Sequence, residues 1–270
     1  MSRSLDGVDD QINCGSGANI DNLAQGDLSG CIWMRIRTLS STSTDTNYRS
    51  RLMQKRATSV ASAGWLFNLR DSQALQFTSI EDIVGADAVY ISNTSAFSLN
   101  VWAHAAFVYT FSTKTAKLYV NGVEVSYATQ TVGDGTAFND ADNSLSIGRS
   151  NIGVETQVVD GDLAFAELFS RILTINEIRQ LMSYPGSMGN SWKGFWPLWG
   201  TAFPEPDYSG NGNNGTVTGA TKGAGDPPVN GIYFPRKRRV IPFTPEVIVP
   251  PSPVVAVGRR ITRSMVGVGL

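Results

Sequence analysis

From residue 4 to about residue 170 the chain alternates short apolar runs with clusters of Gly, Asn, Asp, Ser and Thr. LDGVDDQINC (5–14), SGCIWMRIRT (29–38), SRLMQKRA (50–57), GWLFNLRD (64–71), ALQFTSIED (74–82), NVWAHAAFVYTF (100–111), AKLYVNGVEV (116–125), SLSIGRS (144–150) and DLAFAELFS (162–170) have strand length and strand composition. WMRIRT and AKLYVNGVEV alternate with period two, which predicts one buried and one wet face. VWAHAAFVYTF is apolar almost throughout and belongs in the middle of a sheet. Asn121-Gly122 marks a two-residue hairpin, because both positions tolerate positive φ. A single helix is predicted. Thr174 is its N-cap with Glu177 three residues on, Ile175, Ile178, Leu181 and Met182 fall at helical spacing, and Pro185 ends it. It is expected to cover one end or edge of a sandwich. Many strands at this spacing predict an all-β antiparallel two-sheet sandwich or jelly roll.

Composition sharpens this picture in three places. Charge is uneven: after Phe234 there are seven Lys/Arg and one acid, which leaves the body at about −7 against a total of −1. The opening MSRSLDGVDD has no apolar core of the secretory kind, and no run reaches the roughly 18 apolar residues of a membrane span. Cys14 and Cys31 are too few for a disulfide framework and are read as buried thiols in neighbouring strands, one disulfide staying open for an oxidising compartment. Trp33, Trp65 and Trp102 lie in predicted strands and read as core.

Four stretches carry a family resemblance. SLDGVDDQINCGSGANIDNL, NVWAHAAFVYTFSTKTAKLYVNGVEV, SLSIGRS and GDLAFAELFSRILTINEI, in this order, resemble the laminin-G-like or pentraxin-like branch of the concanavalin A-like lectin/glucanase superfamily. In many relatives a "WP…SGNGNNGT…GAT" segment opens the domain. Here GFWPLWGTAFPEPDYSGNGNNGTVTGAT stands at 194–221, so the resemblance implies a circularly permuted domain whose usual first strand comes last and returns to pair near residues 4–14. It also places Trp196 and Trp199 on a strand covering the sheet rather than on a sugar-stacking platform. The domain is taken as residues 1–234.

Residues 235–270 form an extended, basic, Pro- and Val-rich arm holding six of the twelve prolines. Arg236, Lys237, Arg238, Arg239, Val247, Ile248, Val249, Arg259, Arg260 and Arg263 are the expected anchoring residues, docking by strand addition on a protein surface. The scarcity of stacking aromatics argues against nucleic acid as the partner. Together with the resemblance, which extends to proteins of bacteriophages, this implies a non-enzymatic virion decoration protein, made in the host cytoplasm and assembled as a homo-oligomer on capsid or tail subunits. The alternative is a lectin-like module that binds glycans through Tyr48, Tyr90 and Tyr208, read as loop aromatics.

Chemistry is sparse. The strand pattern E-x-D-x-x-E of glucanase relatives is missing, and Glu81-Asp82 and Asp9-Asp10 are adjacent, so their side chains point to opposite faces of a strand. GSGANID lacks the Lys of a phosphate loop, and His104 is the single histidine, expected to be packed and hydrogen-bonded. The resemblance makes calcium the candidate ion, with Asp6, Asp10, Asp160, Asp162 and Asp207 as ligands, although Phe165 stands where relatives often carry an acid.

Overall fold

The computed structural model describes residues 2–39, 50–56, 64–81, 85–137, 139–150, 157–189 and 191–234. The chain divides into two units, Met1–Pro235 and Arg236–Leu270. The second, with all ten expected anchoring residues, lies outside the described residues, and so does Tyr48.

The strands are β1 (Arg3–Asp6), β2 (Gln11–Asn13), β3 (Leu28–Thr38), β4 (Ser50–Arg56), β5 (Gly64–Leu69), β6 (Leu75–Ile80), β7 (Ala88–Ser92) and β8 (Ala103–Thr110). There follow β9 (Thr115–Val120), β10 (Val123–Glu124), β11 (Tyr127–Thr131), β12 (Leu145–Ile147), β13 (Asp160–Phe169), the helix α1 (Ile175–Ser183), β14 (Trp192–Trp196), β15 (Thr216–Thr218) and β16 (Thr221–Lys222). They form two antiparallel sheets of a jelly-roll sandwich. The first runs β10-β9-β8-β3-β13-β1-β16 and the second β11-β7-β6-β5-β4-β12-β2-β15. β13 has a split edge: Asp160–Leu163 pairs with β1, while Ala166–Phe169 pairs with β14. The break coincides with a bulge where Phe165 takes φ 50.

Alternation sorts the side chains into two cores. Ile32, Met34 and Ile36 of β3, Phe107 and Tyr109 of β8, and Leu163 and Leu168 of β13 point between the sheets, where they meet Trp65, Phe67 and Phe77. Cys31, Trp33, Ala106, Val108 and Phe169 point outward, where α1 covers them with Ile178 and Leu181. The central run 101–111 is apolar because β8 is covered on both faces. The helix has the expected capping box, with Glu177 N–H donating to Thr174 Oγ1 and Thr174 N–H to Glu177 Oε2. It lies on a face of the first sheet, not on the end or edge expected, because a second apolar stripe on β3, β8 and β13 needs a cover.

Two further expectations are corrected. LDGVDDQINC is not one strand. Gly7 turns with φ +79, where a Cβ would stand 2.9 Å from that of Asp160, and the chain crosses from β1 in the first sheet to β2 in the second. Cys14 and Cys31 therefore sit in different cores, both free and buried, rather than in neighbouring strands. The Asn121-Gly122 hairpin is present, with φ of 50 and 71.

The last strands complete both sheets. β15 pairs with β2, Val217 opposite Ile12, and β16 pairs with β1, Lys222 opposite Arg3. A buried ion pair fastens this return. Arg3 Nη2 lies 2.9 Å from Glu205 Oε2, both side chains fully buried. Arg3 also donates to Ala220 O at 3.1 Å and to Ala202 O, and Glu205 Oε1 accepts from Trp199 N–H at 3.1 Å. Removing one partner strands a charge without solvent. We therefore expect Arg3→Met to cost about 3–5 kcal/mol in chemical denaturation, and the double replacement Arg3→Met/Glu205→Leu to recover much of that loss. Equal destabilisation by the single and double variants would show that the pair is not the fastening.

Candidate functional site

The most complete polar and aromatic constellation sits where α1 ends. Tyr184 caps the helix, its N–H donating to Gln180 O at 2.7 Å. Gly186 follows with φ +81, and a Cβ there would lie 1.9 Å from Tyr233 O, so this turn requires glycine. The chain after β16 returns along it: Asn230 N–H donates to Ser183 O and Tyr233 N–H to Pro185 O, each at 2.8 Å. These bonds set the Tyr184 and Tyr233 rings edge to face, with centroids 5.9 Å apart. Together with Gln180 and Ser187 they line a pocket of about 480 Å³. Tyr184 is 38% exposed and Tyr233 56%, while Ser187 Oγ is buried without a hydrogen-bond partner among the described residues. Beside it Phe234 packs on Tyr208, Trp199 and Phe195, with centroids 5.0, 5.2 and 6.2 Å away.

Glu167 of β13 underpins this turn. Its Oε1 accepts from Gly186 N–H at 3.1 Å, and its Oε2 accepts from Trp192 Nε1 at 2.6 Å. Burial pushes the carboxyl up to about 8, the two donors pulling the other way.

The acids proposed as metal ligands divide. Asp160 is held by Arg37 Nε at 2.8 Å and by Thr38 Oγ1 at 2.8 Å. Asp162 Oδ2 takes Arg35 Nη2 at 2.6 Å, and its Oδ1 lies 3.6 Å from Arg37 Nη1. Asp207 organises the SGNGNN turn, accepting from the N–H groups of Phe195, Ser209 and Asn213. Asp6 and Asp10 do come together, with Asp9, their carboxylate oxygens within 4.8 Å of one another. One of those contacts is structural, Asp10 Oδ2 accepting Asp6 N–H at 2.9 Å. The five residues thus serve separate arginine clamps and turns, and calcium needs roughly six to eight oxygens from one place. Phe165 is buried beneath α1 rather than at a loop rim.

The chain matches a family model described as the concanavalin A-like lectin/glucanases superfamily over residues 6–179. The chain belongs to that superfamily. Among solved structures, a Bacteroides ovatus ATCC 8483 protein provisionally described as carbohydrate-binding aligns with TM-score 0.57 at 16% identity. The alignment covers 84% of this chain and 60% of that one. The CBM40 of the Ruminococcus gnavus IT-sialidase aligns at 0.48 and 11% identity, over 67% of this chain and 95% of the module. The heptameric SAP-like pentraxin of Limulus polyphemus aligns at 0.40 and 14%, over 66% and 83%. The comparison with curated proteins finds no match.

Of the three tyrosines expected as loop aromatics, Tyr48 lies outside the described residues and Tyr208 stands half-buried in a turn, while Tyr90 is corrected. Tyr90 lies in β7 and faces the inter-sheet core at 3% exposure, because AVYIS is a short alternating strand rather than a loop. Tyr208 packs under Phe234. Tyr184 and Tyr233 were missed because they are 49 residues apart in the chain. The available signals were a tyrosine at the helix stop and an aromatic pair at the domain's end. A second pocket, of about 470 Å³, lies between the loops after β7 and β9. Asn93, Thr94 and Ser126 line it, but no aromatic does.

His104 is buried, edge-on to Trp33 at 5.4 Å, and burial lowers it to about 3. Its Nδ1 has no partner among the described residues, which corrects the expected hydrogen-bonded ring. Glu81 is closed off by Lys114 at 3.0 Å and Tyr109 at 3.3 Å.

Glu167 generates a pH prediction. Its folded value lies above its unfolded one, so the native state holds the proton more tightly. Its contribution is full below the ordinary glutamate range and is lost as pH rises through about 8. Thermal melts should show wild type losing stability from pH 5 to 8.5 more steeply than Glu167→Gln. Parallel profiles would show that Glu167 does not hold this proton.

Proposed function

We propose that the protein is a non-enzymatic, lectin-like glycan-binding module, circularly permuted, with the Tyr184–Tyr233 pocket as its sugar site. The observation that carries the reading is that pocket's make-up. Two exposed tyrosine rings offer flat apolar faces to the C–H face of a sugar, while Gln180 and the phenol hydroxyls offer donors and acceptors to its hydroxyls. Membership of a lectin-containing superfamily supports it. Permutation is supported by β15 and β16 finishing the sheets beside the N-terminal strands. The non-enzymatic part is supported by the carboxylates: the three described pockets hold at most one each, Glu124 and Asp162, whereas glycoside hydrolysis ordinarily uses a facing pair.

The virion reading, with capsid or tail subunits as partners of a homo-oligomer, rests on residues 235–270 outside the described part. Neither the family nor the aligned structures support it, so glycan binding is preferred. No described helix is long and apolar enough to cross a membrane.

A glycan array probed with the full chain, followed by calorimetry on the best binder, tests the proposal. Tyr184→Ala and Tyr233→Ala should each weaken binding about tenfold, as for a central aromatic contact, while Tyr233→Phe keeps most of it. Alanine variants that bind like wild type, or a wild type that binds no glycan at about 10 mM, would sink it.

A further inference from the structure

A third pocket, of different chemistry, lies on the outer face of the first sheet. Ser4 of β1, Arg35 and Arg37 of β3, Asp162 of β13 and Lys222 of β16 line it, with Asn100 and Ala224, around a space of about 320 Å³. Three cations thus meet one carboxylate. Asp162 is already engaged, its oxygens facing Arg35 and Arg37, and Arg37 is spent on Asp160, Ser4 and Leu5 O.

Asp162 Oδ1 is buried with no hydrogen bond and only the 3.6 Å contact to Arg37, and the other groups left over are donors. Arg35 uses Nε and Nη2 on Asp162, at 3.0 and 2.6 Å, which leaves its Nη1 edge without a protein acceptor among the described residues. The Lys222 side chain is exposed and has neither ion pair nor hydrogen bond among them, and the same is true of the Asn100 side chain. Ser4 accepts from Arg37 Nη1 and keeps its own hydroxyl proton to give. Arg35 is held in place as well as charged: its guanidinium lies over Trp102, 5.4 Å from the ring centroid. Gly225 packs close behind it: a Cβ there would stand 3.2 Å from Nη1, tighter than ordinary contact. A fixed guanidinium edge, a free ammonium and two neutral donors form an acceptor-hungry site, and a planar carboxylate matches a guanidinium edge with two parallel bonds.

We propose that this pocket binds the carboxylate of a sugar acid, the Nη1 edge of Arg35 and Lys222 holding the charge and Ser4 and Asn100 holding its neighbouring oxygens. The space lies at the small end of ligand sites, roughly 300–1,000 Å³, which suits one ring rather than an extended chain. The sugar part rests on the glycan-binding reading above; the anion part does not.

Calorimetry on the full chain at low salt would compare the methyl glycoside of galacturonic acid with its neutral galactose counterpart, acetate and sulfate. The expected order is uronide tightest, with the neutral sugar undetected at this pocket and uronide binding weakened by added salt. Lys222→Glu, at an exposed position, should weaken uronide binding about tenfold. The weakening by Lys222→Glu should persist in a Tyr233→Ala background, which separates this pocket from the tyrosine site. Uronide binding that survives Lys222→Glu, or equals that of the neutral sugar, overturns the proposal. Uronide no tighter than acetate or sulfate overturns the sugar assignment. A chain that binds uronide through Lys222 but no neutral glycan would sink the tyrosine-pocket reading and leave this one standing.

Discussion

The buried pair Arg3–Glu205 is the contact on which the architecture depends. A sandwich must close its edges, and here the closing strands come from opposite ends of the chain. Arg3 lies in β1, beside β16, and one guanidinium binds Glu205, Ala220 O and Ala202 O together. Such a pair gives little net stability, because two charges lose their water. Its value is selective: any other register of the returning segment leaves a fully buried Glu205 without a cation. Burial raises the Glu205 carboxyl even against the pull of Arg3, which shows how costly the unpaired charge would be.

The return also builds the sites. Lys222 reaches the cationic pocket because β16 adds to β1, and Tyr233 reaches Tyr184 because the chain after β16 runs back along the end of α1. The Arg35–Asp162 and Arg37–Asp160 clamps sit on the adjoining strands, so acids that could have met a cation from solution are used to align β3 with β13. Opposite charges facing across strands are the sheet's counterpart of helical ion pairs.

Legibility followed the range of the physics involved. The alternation in WMRIRT, the continuous run of β8, the Asn-Gly turn and the Thr174 capping box are local signals, and each appears in the structure, except that Trp33, on the face read as wet, is buried under α1. β7 was lost because AVYIS is brief and follows a Gly- and Asp-rich turn, and with it went the burial of Tyr90. The break inside LDGVDDQINC was lost because it is made by a glycine packed against Asp160, a contact across more than 150 residues. Whether an acid binds metal or arginine is likewise fixed by cross-strand register, so Asp160 and Asp162 could be found in the sequence but not assigned.

The same reasoning explains why a buried glutamate lies beneath an open tyrosine pocket. A pocket built on a turn binds more tightly if the turn is already in its bound shape. Gly186 supplies a backbone angle other residues resist, and Glu167 takes the N–H of that glycine and the indole N–H of Trp192, joining the turn to β13 and β14. An apolar residue at 167 would leave two buried donors unpaired. The acid thus serves as a brace: it carries no charge to the surface, and it fixes the segment from which Tyr184 and Ser187 project.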